Sequence, residues 1–195
     1  GISLGALLFL LASGFTLTFG LMRVVNMAYG AYYLLGGYIG LSIVRAGGSF
    51  ELAMLGGGLS IVMVGFLVDR FLIRRTGNNH LAQVLLTVGV AFVIGEVCLS
   101  IWGGDSLKIP LPSYLRGSIV LPGDLYYPKF RFAMILFGVV AALALWLLYH
   151  KTQIGAVVRA GVDDREMVTA TGINVDRLFV LVSALGSFLA GVAGV

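Results

Sequence analysis

The chain is a succession of apolar runs, each close to the length that crosses a bilayer. Six stand out: Ile2 to Met22, Gly30 to Val44, Leu52 to Ile73, Leu81 to Trp102, Phe132 to Tyr149 and Leu178 to Val195. A membrane helix needs about 20 such residues, with a range of roughly 17 to 25. The second run is short for a full span, and Asp69 and Arg70 must lie at the end of the third. Charged residues are only 11% of the chain and hydrophobic residues 59%, whereas a soluble domain carries about 25% charged residues. Such a chain cannot cover itself in water. The expected fold class is all-α, a polytopic membrane helix bundle of about six spans, with residues 1–195 forming one transmembrane domain.

The net charge of +4 is small and confined to the loops. It reads as a topology bias and not as a nucleic-acid patch. Arg23 follows the first run, Arg70, Arg74 and Arg75 close the third, and Lys151, Arg159, Arg165 and Arg177 follow the fifth. An alternating path puts all of these on the cytoplasmic side and the N-terminus outside. Residues 103–131 then face outward, with all four prolines and with Lys108, Arg116, Lys129 and Arg131. Cys98 is the single cysteine, which leaves no disulfide framework and no thiolate metal site. The chain has neither an initiator Met nor a basic leading region, and it ends within an apolar run. It is therefore expected to be a fragment of a longer protein without a signal peptide.

Small residues four apart let helices approach closely in lipid. Gly1 with Gly5 and Gly36 with Gly40 have that spacing. In the last run Gly186, Ala190 and Gly194 form one stripe, and Ser183, Ser187 and Gly191 the next. Tight helix packing is the expected use of all of them.

Three stretches could carry function. The segment Gly155 to Arg177 is polar and helix-patterned between two apolar runs. Asp163 and Glu166 have capping-box spacing, and with Asp164 they favour a helix N-terminus there. That helix would run to about Thr171 and stop at Gly172, with a separate short helix over Ile154 to Val162. Its charge is mixed, unlike the strongly basic face of a helix resting on lipid, so docking to a protein is the reading preferred over a purely interfacial role. The second stretch, RVVNMAYG over Arg23 to Gly30, joins the first two runs. Asn26 and Tyr29 could line a path at a helix break, or the stretch could be a plain turn in which Arg23 is an anchor. The third runs from Gln83 to Glu96 and includes Thr87 and Gly89. Glu96 is the only acid well inside an apolar run, and an ionisable group there is a candidate path residue, unless it snorkels or bonds a neighbouring helix. With only His80 and His150 and no Walker, G-x-S-x-G or H-E-x-x-H motif, no catalytic residue, metal ligand or cofactor is expected on this chain.

Four stretches of the chain together resemble the permease subunits of branched-chain amino acid ABC importers, the LivH type. The first is GISLGALLFLLASGFTLTFGLMRVVNMAYG, in which Met27 and Tyr29 stand where the family commonly has Phe and His. The second is LLTVGVAFVIGEVCLSIWGGD. The third, TQIGAVVRAGVDDREMVTATGINVDRL, is the most specific, and the fourth is the closing ALGSFLAGVAGV. The resemblance covers nearly the whole chain in order. It implies the membrane helix bundle of this importer class and a cytoplasmic coupling helix region over residues 155–172, with Gly155, Arg159, Ala160, Asp164, Glu166, Gly172 and Ile173 as the matching positions. It implies separate ATP-binding cassette ATPase subunits as partners, so that this chain is not itself the enzyme. It further implies a second permease subunit, homologous or identical, and a periplasmic substrate-binding protein meeting residues 103–131. The setting would be the bacterial inner membrane, and members usually run longer than this chain. A urea, short-amide or sugar importer permease would look similar. From a different class, an ATP-independent transporter or channel would move cargo with no ATPase present.

Overall fold

The computed structural model describes residues 1–22, 24–77, 79–105, 107–121, 125–163 and 175–195. Its helices are α1 (Ile2–Met22), α2 (Tyr29–Arg45), α3 (Phe50–Phe71), α4 (His80–Trp102), α5 (Lys129–Lys151), α6 (Gln153–Asp163) and α7 (Val175–Gly194). Five of them, α1, α3, α4, α5 and α7, are long and apolar enough to cross a membrane. The remaining apolar run, Gly30 to Val44, is α2, whose 17 residues make it the short one.

Local chemistry sets the helix ends. The Ser49 hydroxyl accepts from Leu52 N–H at 3.3 Å and starts α3, and Asn79 accepts from Ala82 N–H at 3.1 Å and starts α4. Both satisfy donors that a helix N-terminus leaves unpaired. Gly103, at φ 81°, ends α4, a conformation that a Cβ would disfavour.

Helix α7 is the centre of the bundle and packs on α1, α2 and α3, while α4 leans on α2 and α5 on α1. Small residues account for this placement. A Cβ on Gly36 would lie 2.5 Å from the Gly191 carbonyl oxygen, and one on Gly186 would lie 2.7 Å from that of Gly14. A Cβ on Gly194 would run into the Tyr33 carbonyl. The backbones therefore touch where only glycine permits it. Both small-residue stripes of the last run are used in this way, but Gly1 and Gly5 are not, because among the described residues nothing lies within 4 Å of a Cβ at either.

The segment between α4 and α5 contains structure that the sequence reading did not anticipate. Strands β1 (Ser118–Leu121) and β2 (Leu125–Pro128) pair antiparallel, from Ser118 opposite Pro128 to Leu121 opposite Leu125. Lys129 N–H donates to the Gly117 carbonyl at 3.0 Å and joins the hairpin to α5. A 3-10 turn over Ser113–Leu115 precedes it, and the exposed Tyr114 hydroxyl there donates to the Glu51 carboxylate. The carboxylate beside it pushes the Tyr114 phenol above its ordinary pKa.

Candidate functional site

The turn between α1 and α2 and the N-terminal half of α4 form one buried polar site. Asn26 and Thr87 are both buried, Thr87 completely. The Asn26 Oδ1 accepts from its own Ala28 N–H at 2.9 Å, a side-chain turn that lets the backbone leave one helix and enter the next. The neighbouring Met27 N–H donates to Thr87 Oγ1 at 3.0 Å, and that hydroxyl in turn donates to the Gln83 carbonyl at 2.8 Å. Two of the sequence candidates, Asn26 and Thr87, are thus joined through the Met27 backbone amide.

Tyr29 packs beside them. Thr18 Oγ1 donates to its hydroxyl at 3.1 Å, and its ring meets that of Tyr32 edge-on at 5.5 Å. Tyr32 is fully buried. Its hydroxyl, near Asn26, has no well-formed hydrogen bond among the described residues, and neither does the buried Gln83 Oε1. Asp69 adds a buried carboxylate near the C-terminal end of α3, 3.7 Å from the Arg74 guanidinium. Sequence reading missed Tyr32 and Asp69 as site residues. Tyr32 was accessible to it, because three positions after Tyr29 falls on the same helix face.

Gly89 and Glu96 lie elsewhere. Both are exposed on the face of α4 that turns away from the bundle, and Glu96 has no ion pair or hydrogen bond among the described residues. At 3.6 residues per turn, nine positions are two and a half turns, so Glu96 points opposite to Thr87. At its C-terminal end α4 is fixed to α2: the Trp102 ring stacks on Tyr38 at 5.1 Å, and its Nε1–H donates to Ser42 Oγ at 2.8 Å.

The second candidate region begins at the corner between α5 and α6. Thr152 caps α6 by accepting from Gly155 N–H at 3.1 Å. A Cβ on Gly155 would collide with the Tyr149 carbonyl oxygen. Arg159 donates to that same carbonyl, and its guanidinium carbon lies 5.0 Å from the Tyr149 ring centre. Gly155 and Arg159 therefore clamp α6 under α5, and Arg159 satisfies a carbonyl that the end of α5 would leave open. Val158 is buried on the inner side, while Ala160 is exposed on the free side. The remaining candidates, Asp164, Glu166, Gly172 and Ile173, lie outside the described residues. So do Arg23 and most of the segment proposed to be capped by Asp163 and Glu166. Helix α6 itself covers the short helix expected over Ile154 to Val162.

Among the described residues no cluster of His, Cys, Asp or Glu could hold a metal ion. The arrangement provides close helix packing, a buried polar turn and a short helix α6 with an exposed face. A family model described as "Branched-chain amino acid transport system / permease component" matches residues 1–195. The chain is 27% identical over 214 residues to the high-affinity branched-chain amino acid transport system permease protein LivH of Salmonella typhimurium, covering 100% of this chain and 67% of that protein. It is 28% identical over 210 residues to BraD of Pseudomonas aeruginosa, with the same coverage. It is 27% identical over 199 residues to a probable LivH of Methanocaldococcus jannaschii, covering 96% of this chain and 61% of that protein. No solved structure matches the chain. With the match running from the first residue to the last over a bundle of membrane-crossing helices, the chain belongs to the family of permease components of branched-chain amino acid transport systems.

Proposed function

We propose that this chain is the membrane-spanning permease subunit of an ATP-driven importer for branched-chain amino acids in the bacterial inner membrane. Separate ATPase subunits act on its inner face, a periplasmic binding protein delivers cargo to the outer segment, and a second permease subunit completes the path. The observation that carries this reading is the family match over all 195 residues.

The geometry supports a mechanism of coupling. The clamp at Gly155 and Arg159 makes α6 and the end of α5 move as one body, so a push on the exposed side of α6 is passed directly to a span. Asp164, Glu166, Gly172 and Ile173 extend the contact with the ATPase beyond α6. Alternating access needs two packings of similar energy, and glycine-lined contacts around α7 allow helices to shift as rigid bodies. Asn26, Tyr29 and Thr87 form the inner seal of the path. Gly89 and Glu96 line it only on the side that α4 turns toward the second subunit.

The test is reconstitution of the complete complex in liposomes with labelled leucine. Charge reversal at Asp164 or Glu166 should leave membrane insertion intact and separate ATP hydrolysis from uptake. Normal uptake by both variants would remove the coupling assignment, and uptake by the permease without its ATPases would remove the ATP-driven reading.

A further inference from the structure

Two polar side chains in the core of the bundle are poorly served in this packing, and their needs are complementary. Tyr32 is fully buried, and its hydroxyl has almost no surface for water to touch and no hydrogen-bond partner among the described residues. Asn26 lies beside it, but the Asn26 Oδ1 is held by the Ala28 N–H. Folded proteins rarely keep a buried donor in that condition. Asp69 presents the opposite case. Its carboxylate is buried, and its ion-pair partner among the described residues, Arg74, stands at 3.7 Å, too far for a well-formed hydrogen bond. Arg74 belongs to the 3-10 turn Ile73–Thr76 that continues α3, and its side chain is 35% exposed. The pair is therefore local and ties α3 to no other helix. Burial of a charge is costly unless the charge is well paired, and a loose, half-wet pair offsets little of that cost.

The two groups face one place. A Cβ on Gly57 would lie 2.9 Å from the Gly36 carbonyl oxygen, and one on Gly65 would lie 3.8 Å from Tyr32 Cε2. Helices α2 and α3 therefore run antiparallel, and Asp69 follows Gly65 by one turn on the same face. Side chains on a helix lean toward its N-terminus, so the Tyr32 ring reaches back along α2 in the direction of Asp69. The Asp69 charge acts on both the Tyr29 and the Tyr32 hydroxyls. The α2–α3 contact is made largely through glycine, and packed helices shift by about 1–2 Å when such interfaces switch.

We propose that Tyr32 and Asp69 form a latch between α2 and α3, open in this packing and closed in the other packing of the transport cycle by a hydrogen bond from the Tyr32 hydroxyl to the Asp69 carboxylate. Closure gives the stranded donor its acceptor and ties α3 to α2, while the Arg74 guanidinium is released to water. The latch rests on the proposed function, because it needs two packings, and it names two residues that set the balance between them.

The experiment uses the full-length permease assembled with its ATPases and binding protein. Melting is followed without nucleotide and with ATP plus vanadate, which hold the complex in different states. Tyr32→Phe removes only the hydroxyl. It should leave the melting temperature of one state unchanged or higher and lower that of the other, because the hydroxyl is bonded in one packing alone. In liposomes the same variant should cut uptake of labelled leucine at least fivefold while ATP hydrolysis continues. Asp69→Asn should lower the melting of the same state as Tyr32→Phe. The double variant should melt no lower there than the weaker single one, since all three lack the same bond. Equal effects in both states, additive losses, or normal uptake by Tyr32→Phe would each overturn the latch and leave the importer reading in place. Absence of leucine uptake by the unaltered complex would remove that reading and the latch with it.

Discussion

Helices α5 and α7 are alike in length and apolarity, yet they occupy opposite environments. The α5 span has the higher mean hydropathy, 2.4 against 1.8, but 6% of it is buried against 44% of α7. Within a membrane the apolar helix gains nothing by leaving lipid for protein, so hydropathy cannot decide which helix goes to the centre. The small residues of α7 can decide it. Gly186, Gly191 and Gly194 meet backbone of α1, α2 and α3 directly, and this brings many atoms into dispersion contact. Helix α5 instead turns Leu136, Leu143 and Trp146 outward.

The most severe way to break this contrast is a large side chain at the central contact. Gly36→Leu drives into the Gly191 backbone and should cost about 3 kcal/mol or more, whereas Ala144→Leu on the exposed face of α5 should cost almost nothing. Thermal unfolding in detergent, followed by size-exclusion recovery, compares the two, and equal losses would refute the role given to small residues.

Next in size is the buried amide at the turn between α1 and α2. Thr87→Val keeps the shape but leaves Met27 N–H without an acceptor, at about 1–3 kcal/mol. Thr87→Ser should restore most of it in the same melt. At the α5–α6 corner, Gly155→Ala should loosen α6 by a similar amount, about 1–3 kcal/mol. It should lower ATP-coupled uptake and leave the melting of the α7 core unchanged, because the strain is confined to the corner. Trp102→Phe preserves the stack on Tyr38 and loses one hydrogen bond to Ser42, worth about 1 kcal/mol. The smallest effect is expected from Glu96→Gln, within about 0.5 kcal/mol in the isolated subunit, since nothing described in this chain contacts it. A shift in subunit association or uptake without a shift in melting would place Glu96 at an interface with a second subunit.

Much of the outline was legible in one dimension. Runs of about 20 apolar residues mark spans, Ser49 and Asn79 are helix starts by their chemistry, and the small-residue stripes of the last run were correctly read as packing surfaces. Legibility failed in two ways. The separation of Thr87 from Gly89 and Glu96 was within reach, because helical periodicity alone puts them on opposite faces of α4, and grouping them by proximity in the chain concealed it. The bond from Met27 to Thr87 was out of reach, since no local pattern tells one helix which other helix will supply an acceptor. The hairpin over Ser118–Pro128 was also missed, hidden among prolines that read as loop.

The sequence by itself determined that this chain lives in a bilayer, roughly where it crosses and which of its faces can approach another backbone. Those properties follow from transfer of side chains out of water and from residue volume, which are local. Only the tertiary structure decided that α7 lies at the centre, that Gly155 and Arg159 both close on Tyr149, and that Asn26 and Thr87 share one site. Each of these depends on which surfaces meet, and lipid, being as apolar as the side chains, gives no local signal of that choice.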